Sequence, residues 1–225
     1  MERFFDILFS AVSLLVLSPL LIPISIILKL TGEGEIFFLQ ERIGKDGRKF
    51  KLFKFATMLK NSANIGTGTV TIKGDPRVLP VGKFLRKTKI NELPQLFNIF
   101  IGDMSVIGPR PLTTQTFEAY SNNIQNVIKQ VRPGLSGIGS IIFRDEEEIM
   151  QGANASIDYY VNTVAPYKGE LEEWFVLNKN LCIYFVAIFT TAWVVLNPNS
   201  KMAWRVFKDM PEPPFELKEI LKYSK

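Results

Sequence analysis

The sequence predicts an α+β fold, mostly helical, with a membrane-seeking N-terminus, interfacial amphipathic helices and a small β element. Three observations predict it. Residues 7–28 form a run of 22 without a charge. Apolar residues at helical spacing recur through most of the remaining chain. Only residues 36–41 and 50–58 read as strands, the second because Phe50, Phe53 and Phe55 alternate with Lys49, Lys51 and Lys54.

As one straight helix the first run is about 33 Å long, enough to cross a hydrocarbon core. Ser18-Pro19 and Pro23 interrupt it near the middle. Each proline removes an intrahelical hydrogen bond, and in lipid the freed carbonyls need partners, which Ser18 or Ser25 can supply. A kinked spanning helix and a re-entrant hairpin both satisfy this pattern. Beyond the strands, a Gly/Thr-rich loop is expected over 61–74 and helices over 80–88, 91–101, 113–130, 156–164 and 169–196. The last of these ends in an uncharged stretch, Leu181–Leu196, stopped by Asn197-Pro198-Asn199. Trp174, Tyr184 and Trp193 suit a helix at a bilayer surface. The tail, with Pro211, Pro213 and Pro214, is expected to wrap the surface or fray.

The 225 residues fit one or two domains. The chain has no histidine, which excludes Ser-His-Asp and Cys-His nucleophile systems and HExxH zinc sites. Its single cysteine, Cys182, excludes an internal disulfide and a zinc ribbon. Acid–base work falls to carboxylates, Lys or Tyr, or to a metal held by oxygen. Residues 41–89 hold 13 Lys/Arg against three acids, whereas the whole chain is only +5. A basic block behind a membrane segment suits an anionic bilayer surface and hence a cytoplasmic face. Nucleic acid is a poorer fit, since no RNP, zinc-finger or helix-turn-helix signature is present.

The chemistry concentrates in residues 83–112. Leu93, Leu96, Phe97 and Phe100 fall at i, i+3, i+4 and i+7, so a short helix should bury that face, with Asn91 as N-cap and Pro94 in the first turn. A helix start presents free N–H groups that suit a phosphate. Glu92 sits there, with Arg86, Lys87 and Lys89 just upstream. Arg110 stands between Pro109 and Pro111, which fix its backbone at low entropic cost. Arg132-Pro133-Gly134-Leu135-Ser136-Gly137 is a second rigid loop bearing an arginine. This spacing points to an anionic, diphosphate-type ligand. Neither a P-loop nor a Rossmann fingerprint is present.

Over nearly its whole length the chain resembles the bacterial sugar transferases of the monotopic phosphoglycosyl transferase family. The resemblance rests on the Ser-Pro-broken N-terminus, Gln40-Glu41-Arg42-Ile43-Gly44, the segment 50–58, Asp75-Pro76-Arg77, Gly82-Lys83-Phe84-Leu85-Arg86 and Glu92-Leu93-Pro94-Gln95-Leu96. Residues 102–111, the Arg132-Pro133-Gly134 loop and Asp158-Tyr159-Tyr160 complete it. It implies a re-entrant helix–break–helix over 1–32, a catalytic domain over 33–198 and a tail over 199–225. It further implies transfer of a sugar-1-phosphate from a UDP-sugar to a polyprenyl (undecaprenyl) phosphate with Mg²⁺, releasing UMP. That is the first membrane step of surface glycan assembly, at the cytoplasmic face of the bacterial inner membrane. The implied partners are the UDP-sugar, the polyprenyl phosphate, membrane lipids and, in a homodimer, a second copy of the chain; nucleic acid is not among them.

In that family an Asp-Glu pair opens the helix after Arg86, and the Asp carries a covalent phosphosugar. Here Asn91 stands at the Asp position and Glu92 at the Glu position, so the resemblance assigns both to catalysis and to the metal. Ala56 stands where the family often has Lys or Arg. Arg86, Arg110, Arg144, Lys54 and Asp158 are assigned to the phosphates and the sugar nucleotide. Plainer readings are that Arg86 pairs with a surface acid, Arg144 neutralises residues 145–148 and Asp158 caps a helix. Asn91 leaves three routes open: Glu92 as nucleophile or base, direct transfer between substrates, or an inactive Asp-to-Asn form acting as a membrane-docked interaction subunit.

Overall fold

The computed structural model describes residues 1–62, 75–144, 149 and 157–223. Most of the expected Gly/Thr-rich loop (63–74), the acidic run at 145–148 and the start of the expected helix at 156 lie outside the described residues. In chain order the elements are α1 (Glu2–Leu30), β1 (Phe37–Ile43), β2 (Lys49–Phe55), α2 (Pro80–Lys87), α3 (Gln95–Ile101), β3 (Ser105–Ile107), α4 (Thr114–Glu118) and α5 (Asn122–Ile128). They continue with β4 (Gly134–Ser136), α6 (Ile138–Ile142), α7 (Ala165–Asn178), α8 (Leu181–Leu196), α9 (Met202–Val206) and α10 (Phe215–Lys218). The fold is α+β and mostly helical, as the sequence predicts.

Helix α1 runs unbroken through Pro19 and Pro23, where a helix–break–helix was expected. The reason is local. Pro19 cannot bond the carbonyl of Leu15, and the Ser18 hydroxyl donates to that carbonyl instead, at 2.7 Å. Ser25 bonds Leu21 O at 2.8 Å, a carbonyl that neither proline frees. The serine beside the proline therefore removes the penalty that would otherwise break the helix. The helix is long and apolar enough to cross a membrane by length and composition, and only 17% of its most apolar window is buried.

Other expected boundaries shift for identifiable reasons. The helix predicted over 91–101 is a 3₁₀ turn, Ile90–Glu92, followed by α3 with Pro94, not Asn91, at its N-cap. Lys89 enters that turn with a positive φ of 59°, which sets the turn apart from the helix. The helix predicted over 113–130 divides because Thr113 and Ser121 each cap a new start. The one predicted over 169–196 divides at Asn180, whose side chain accepts from Ile183 N at 2.9 Å. Upstream, a π-helical run, Tyr160–Val164, leads into α7.

Contacts divide the chain into two compact units. One comprises residues 7–41 and 51–102, the other residues 1–6, 42–50 and 103–225. In the first, Leu21, Ile24 and Leu28 of α1 are buried with Phe55 and Leu85. The buried face of α3 is Gln95, Leu96, Asn98 and Ile99, while Phe97 and Phe100, expected inside, are exposed. Asn98 explains the rotation: its Oδ1 accepts from Phe53 N at 2.9 Å and its Nδ2 donates to Lys51 O at 2.8 Å. A polar side chain that completes two backbone groups of β2 outcompetes the aromatic stripe for the inner position.

In the second unit, β3 and β4 pair in parallel with Ser105 opposite Gly134 and Ile107 opposite Ser136. Helices α4, α5 and α7 bury Tyr120, Ile124, Ile128 and Ala165 together with Leu112. Tyr184, expected at an interface, is fully buried and donates to Asp6 at 2.8 Å. Ser105 Oγ and Val106 N also donate to Asp6, at 2.9 and 2.8 Å. Trp193 is exposed, as are Phe185, Phe189, Val195 and Leu196 along α8. The tail packs inward: Phe207, Met210, Leu217 and Leu221 are buried, and Tyr167 bonds Pro211 O at 2.8 Å.

Candidate active site

In the first unit the candidate residues gather at the 3₁₀ turn. Asn91 is buried, and its Oδ1 has no hydrogen-bond partner. Glu92, half-buried beside it, accepts from Lys54 Nζ at 3.3 Å. Lys54 reaches Glu92 because β2 carries it at the strand end next to buried Phe55. Helix α2 packs against the same turn and brings Arg86 on its last turn. The only partner described for the Arg86 guanidinium is Met58 Sδ, at 3.8 Å. The structure thus brings Lys54, Arg86, Asn91 and Glu92 into one unit and joins Lys54 to Glu92 directly. A buried amide oxygen with no donor and an adjacent carboxylate form an oxygen pair that suits a hard cation or a protonated ligand. Among the described residues no group of three or more Asp, Glu, Cys or His could hold a metal alone.

In the second unit the two arginine-bearing loops of the sequence become one module. Gly134 N donates to Pro109 O at 2.8 Å, Gly108 N to Ser136 O at 2.9 Å and Ser105 N to Pro133 O at 2.9 Å. The approach is close enough that glycine is required: a Cβ on Gly134 would lie 2.1 Å from Gly108 N, and one on Gly137 2.1 Å from Gly108 O. Pro109 and Pro111 are buried while Arg110 between them is exposed. The ring pair therefore anchors the backbone and leaves the guanidinium free to meet a ligand. Beside it opens a shallow cleft lined by Ile43, Leu112, Phe117, Arg110 and Lys129. Two cations over an apolar floor suit an anion with a flat or apolar portion.

The remaining candidates sit elsewhere. Arg144 donates to Val194 O and, at 3.3 Å, to Val195 O, so it closes the C-terminal end of α8. Asp158 is exposed on the turn Ile157–Tyr159. Sequence reasoning missed the buried carboxylates. Asp75 holds Arg77 through Nε at 2.9 Å and Nη2 at 2.6 Å, and Asp6 gathers the three donors already described. Glu172 is fully buried, accepts from Arg110 N at 3.2 Å, and has its carboxyl pushed up to about 7 by burial. The available signal was weak: Glu172 shares a helical register with Lys168, Leu171 and Phe175 and reads as an ordinary charged position.

The model of the family described as bacterial sugar transferase matches residues 1–198. A UDP-glucose:undecaprenyl-phosphate glucose-1-phosphate transferase of Klebsiella pneumoniae is 38% identical over 163 residues, covering 70% of this chain and 34% of that protein. A UDP-N-acetylgalactosamine-undecaprenyl-phosphate N-acetylgalactosaminephosphotransferase of Aeromonas hydrophila is 39% identical over 63% of this chain and 34% of its own length. The exopolysaccharide production protein ExoY of Sinorhizobium fredii is 36% identical over 64% of this chain and 70% of its own length. The chain thus spans about a third of the first two relatives.

Proposed function

We propose a function from one premise: the chain belongs to the bacterial sugar transferase family. The reading is that it transfers a sugar-1-phosphate from a UDP-sugar to undecaprenyl phosphate and releases UMP. The observation that carries it is the Ile90–Glu92 turn, where a buried, unpartnered amide oxygen lies beside a carboxylate paired with Lys54. The names of the relatives support the substrate classes.

In the second unit Arg110 suits a phosphate, because its backbone is fixed on both sides and its guanidinium offers paired donors. Arg86 and Lys54 supply further positive charge near the turn. Glu92 acts as base or nucleophile toward the phosphoryl group, with the Lys54 ammonium 3.3 Å away. Magnesium fits the turn, since Asn91 Oδ1 and Glu92 are oxygen ligands and a diphosphate completes such a shell. When bound, that ion offsets diphosphate charge. Both substrates are met at the cytoplasmic face of the inner membrane, where the apolar, largely exposed α1 associates with the bilayer. One substrate is water-soluble and the other lipid-bound, so a site at the boundary admits both.

The test is turnover of purified full-length protein with undecaprenyl phosphate, Mg²⁺ and a panel of UDP-sugars. UMP release is expected, and Glu92→Gln should lower it by about 10²-fold or more. Turnover undiminished in Glu92→Gln removes Glu92 from the chemistry. A second reading, a non-catalytic membrane subunit, is favoured by Asn91 itself, since an amide is a feeble nucleophile. Under it the native chain releases no UMP, and Asn91→Asp creates the activity.

A further inference from the structure

Helix α7 buries an acid that the proposed chemistry does not use. Glu172 is 1% exposed. Its Oε1 accepts from Arg110 N at 3.2 Å, and the Gly139 N–H lies close enough to favour the ionised carboxyl. A Cβ on Gly139 would stand 2.5 Å from Oε1, so the glycine at 139 makes room for this carboxylate. Its Oε2 is buried without a partner. One side chain on a rigid helix thus grips the backbone of two loops, at the residue between Pro109 and Pro111 and at the start of α6.

We infer that Glu172 is the positioning residue of Arg110: its carboxyl fixes the Arg110 amide and so sets where the guanidinium meets a phosphate. The alternative for a buried acid is a surface-directed salt bridge, and burial removes it. A purely packing role is better served by Leu or Met, which need no acceptor and leave no orphaned oxygen. An acceptor here has a use only because Arg110 N and Gly139 N point at it and no strand or helix partner takes them.

The charge state of the clamp follows from the groups that face it. From its own helix comes Lys168, one turn earlier and itself buried, and from the loop comes Arg110. Helices α5 and α6, which also pack on α7, carry no ionisable residue. Two cations against deep burial leave the proton finely balanced, so the clamp changes charge near neutral pH.

The inference rests on the proposed function only in assigning Arg110 to the substrate's phosphates, and the experiment separates the two. Full-length protein in lipid nanodiscs is compared with Glu172→Gln, which keeps the Oε1 acceptor, Glu172→Leu, which keeps volume alone, Arg110→Ala, and the double variant Glu172→Leu/Arg110→Ala. Hydrogen exchange at the Arg110 and Gly139 amides should rise about tenfold or more in Glu172→Leu and stay unchanged in Glu172→Gln. UDP affinity should fall about tenfold in Glu172→Leu and in Arg110→Ala, with no further loss in the double variant. In the native chain UDP affinity should vary between pH 6 and 8 by more than the ionisation of the UDP phosphate itself accounts for, and Glu172→Gln should show that ligand titration alone. Additive losses, or unchanged amide exchange in Glu172→Leu, overturn the inference. If Glu172→Leu does not fold, a pH profile of Glu172→Gln parallel to the native one overturns it as well. A native chain that turns over no UDP-sugar defeats the proposed function alone, because amide exchange still decides the clamp.

Discussion

Glu172 and Glu92 show how one residue type is set to two tasks by its surroundings. Glu92 is half-exposed and pairs with the Lys54 ammonium at 3.3 Å. Glu172 is sealed in, and burial raises its carboxyl from the ordinary 4.5 to about 7. In the unfolded chain that carboxyl loses its proton near pH 4.5, whereas the folded chain keeps it to about 7. The folded state therefore holds the extra proton between those values, and stability falls as pH rises through that window, then levels. The full shift corresponds to about 3 kcal/mol. Glu172→Gln lacks the titration, so its melting temperature relative to the native chain should climb between pH 5 and pH 7.5. Calorimetry or thermal circular dichroism at both pH values reads the difference, and a constant offset would mean that Glu172 is ionised throughout.

At the scale of elements, the legible parts were those decided locally. The β2 pattern, the helix over 80–88 and the Asn-Pro stop of α8 depend on residues within a few positions of one another, and each lies close to where it was expected. The burial of α3 was not legible, because its inner face is chosen by Asn98 meeting a strand 45 residues away. Tyr184 was misjudged for the same reason, its partner Asp6 lying 178 positions back. The site divides along the same line. The rigid arginine loop could be read from its prolines, but the acid beneath it, 62 residues on, could not. Asn98 gives a direct check. Asn98→Ala strands Phe53 N and Lys51 O and should cost about 3 kcal/mol, read from denaturant unfolding. Asn98→Asp keeps the acceptor for Phe53 N but turns a carboxylate toward Lys51 O, so it should be worse at pH 7 than at pH 4.

For the whole molecule, the consequence is that α1 is part of the folded body rather than a detachable anchor. Its far half contributes Leu21, Ile24 and Leu28 to a core with Phe55 and Leu85, and Leu14 and Leu17 pack against the same cluster. Its first turns contribute Asp6 to a buried knot with Ser105, Val106 and Tyr184. Three buried aliphatic side chains at about 2 kcal/mol each already approach the stability of a typical domain. Asp6 adds a carboxylate whose loss leaves three donors unpaired in the interior. Removing residues 1–30 should therefore yield a chain without a cooperative melt that precipitates in detergent-free buffer, where a simple anchor would leave a soluble, folded remainder. Point changes separate the two ends of the helix: Leu28→Ala should destabilise through a cavity and Asp6→Ala through unpaired polar groups, each by about 2–4 kcal/mol. A truncated chain that melts cooperatively and still releases UMP would show that α1 only tethers a self-sufficient domain.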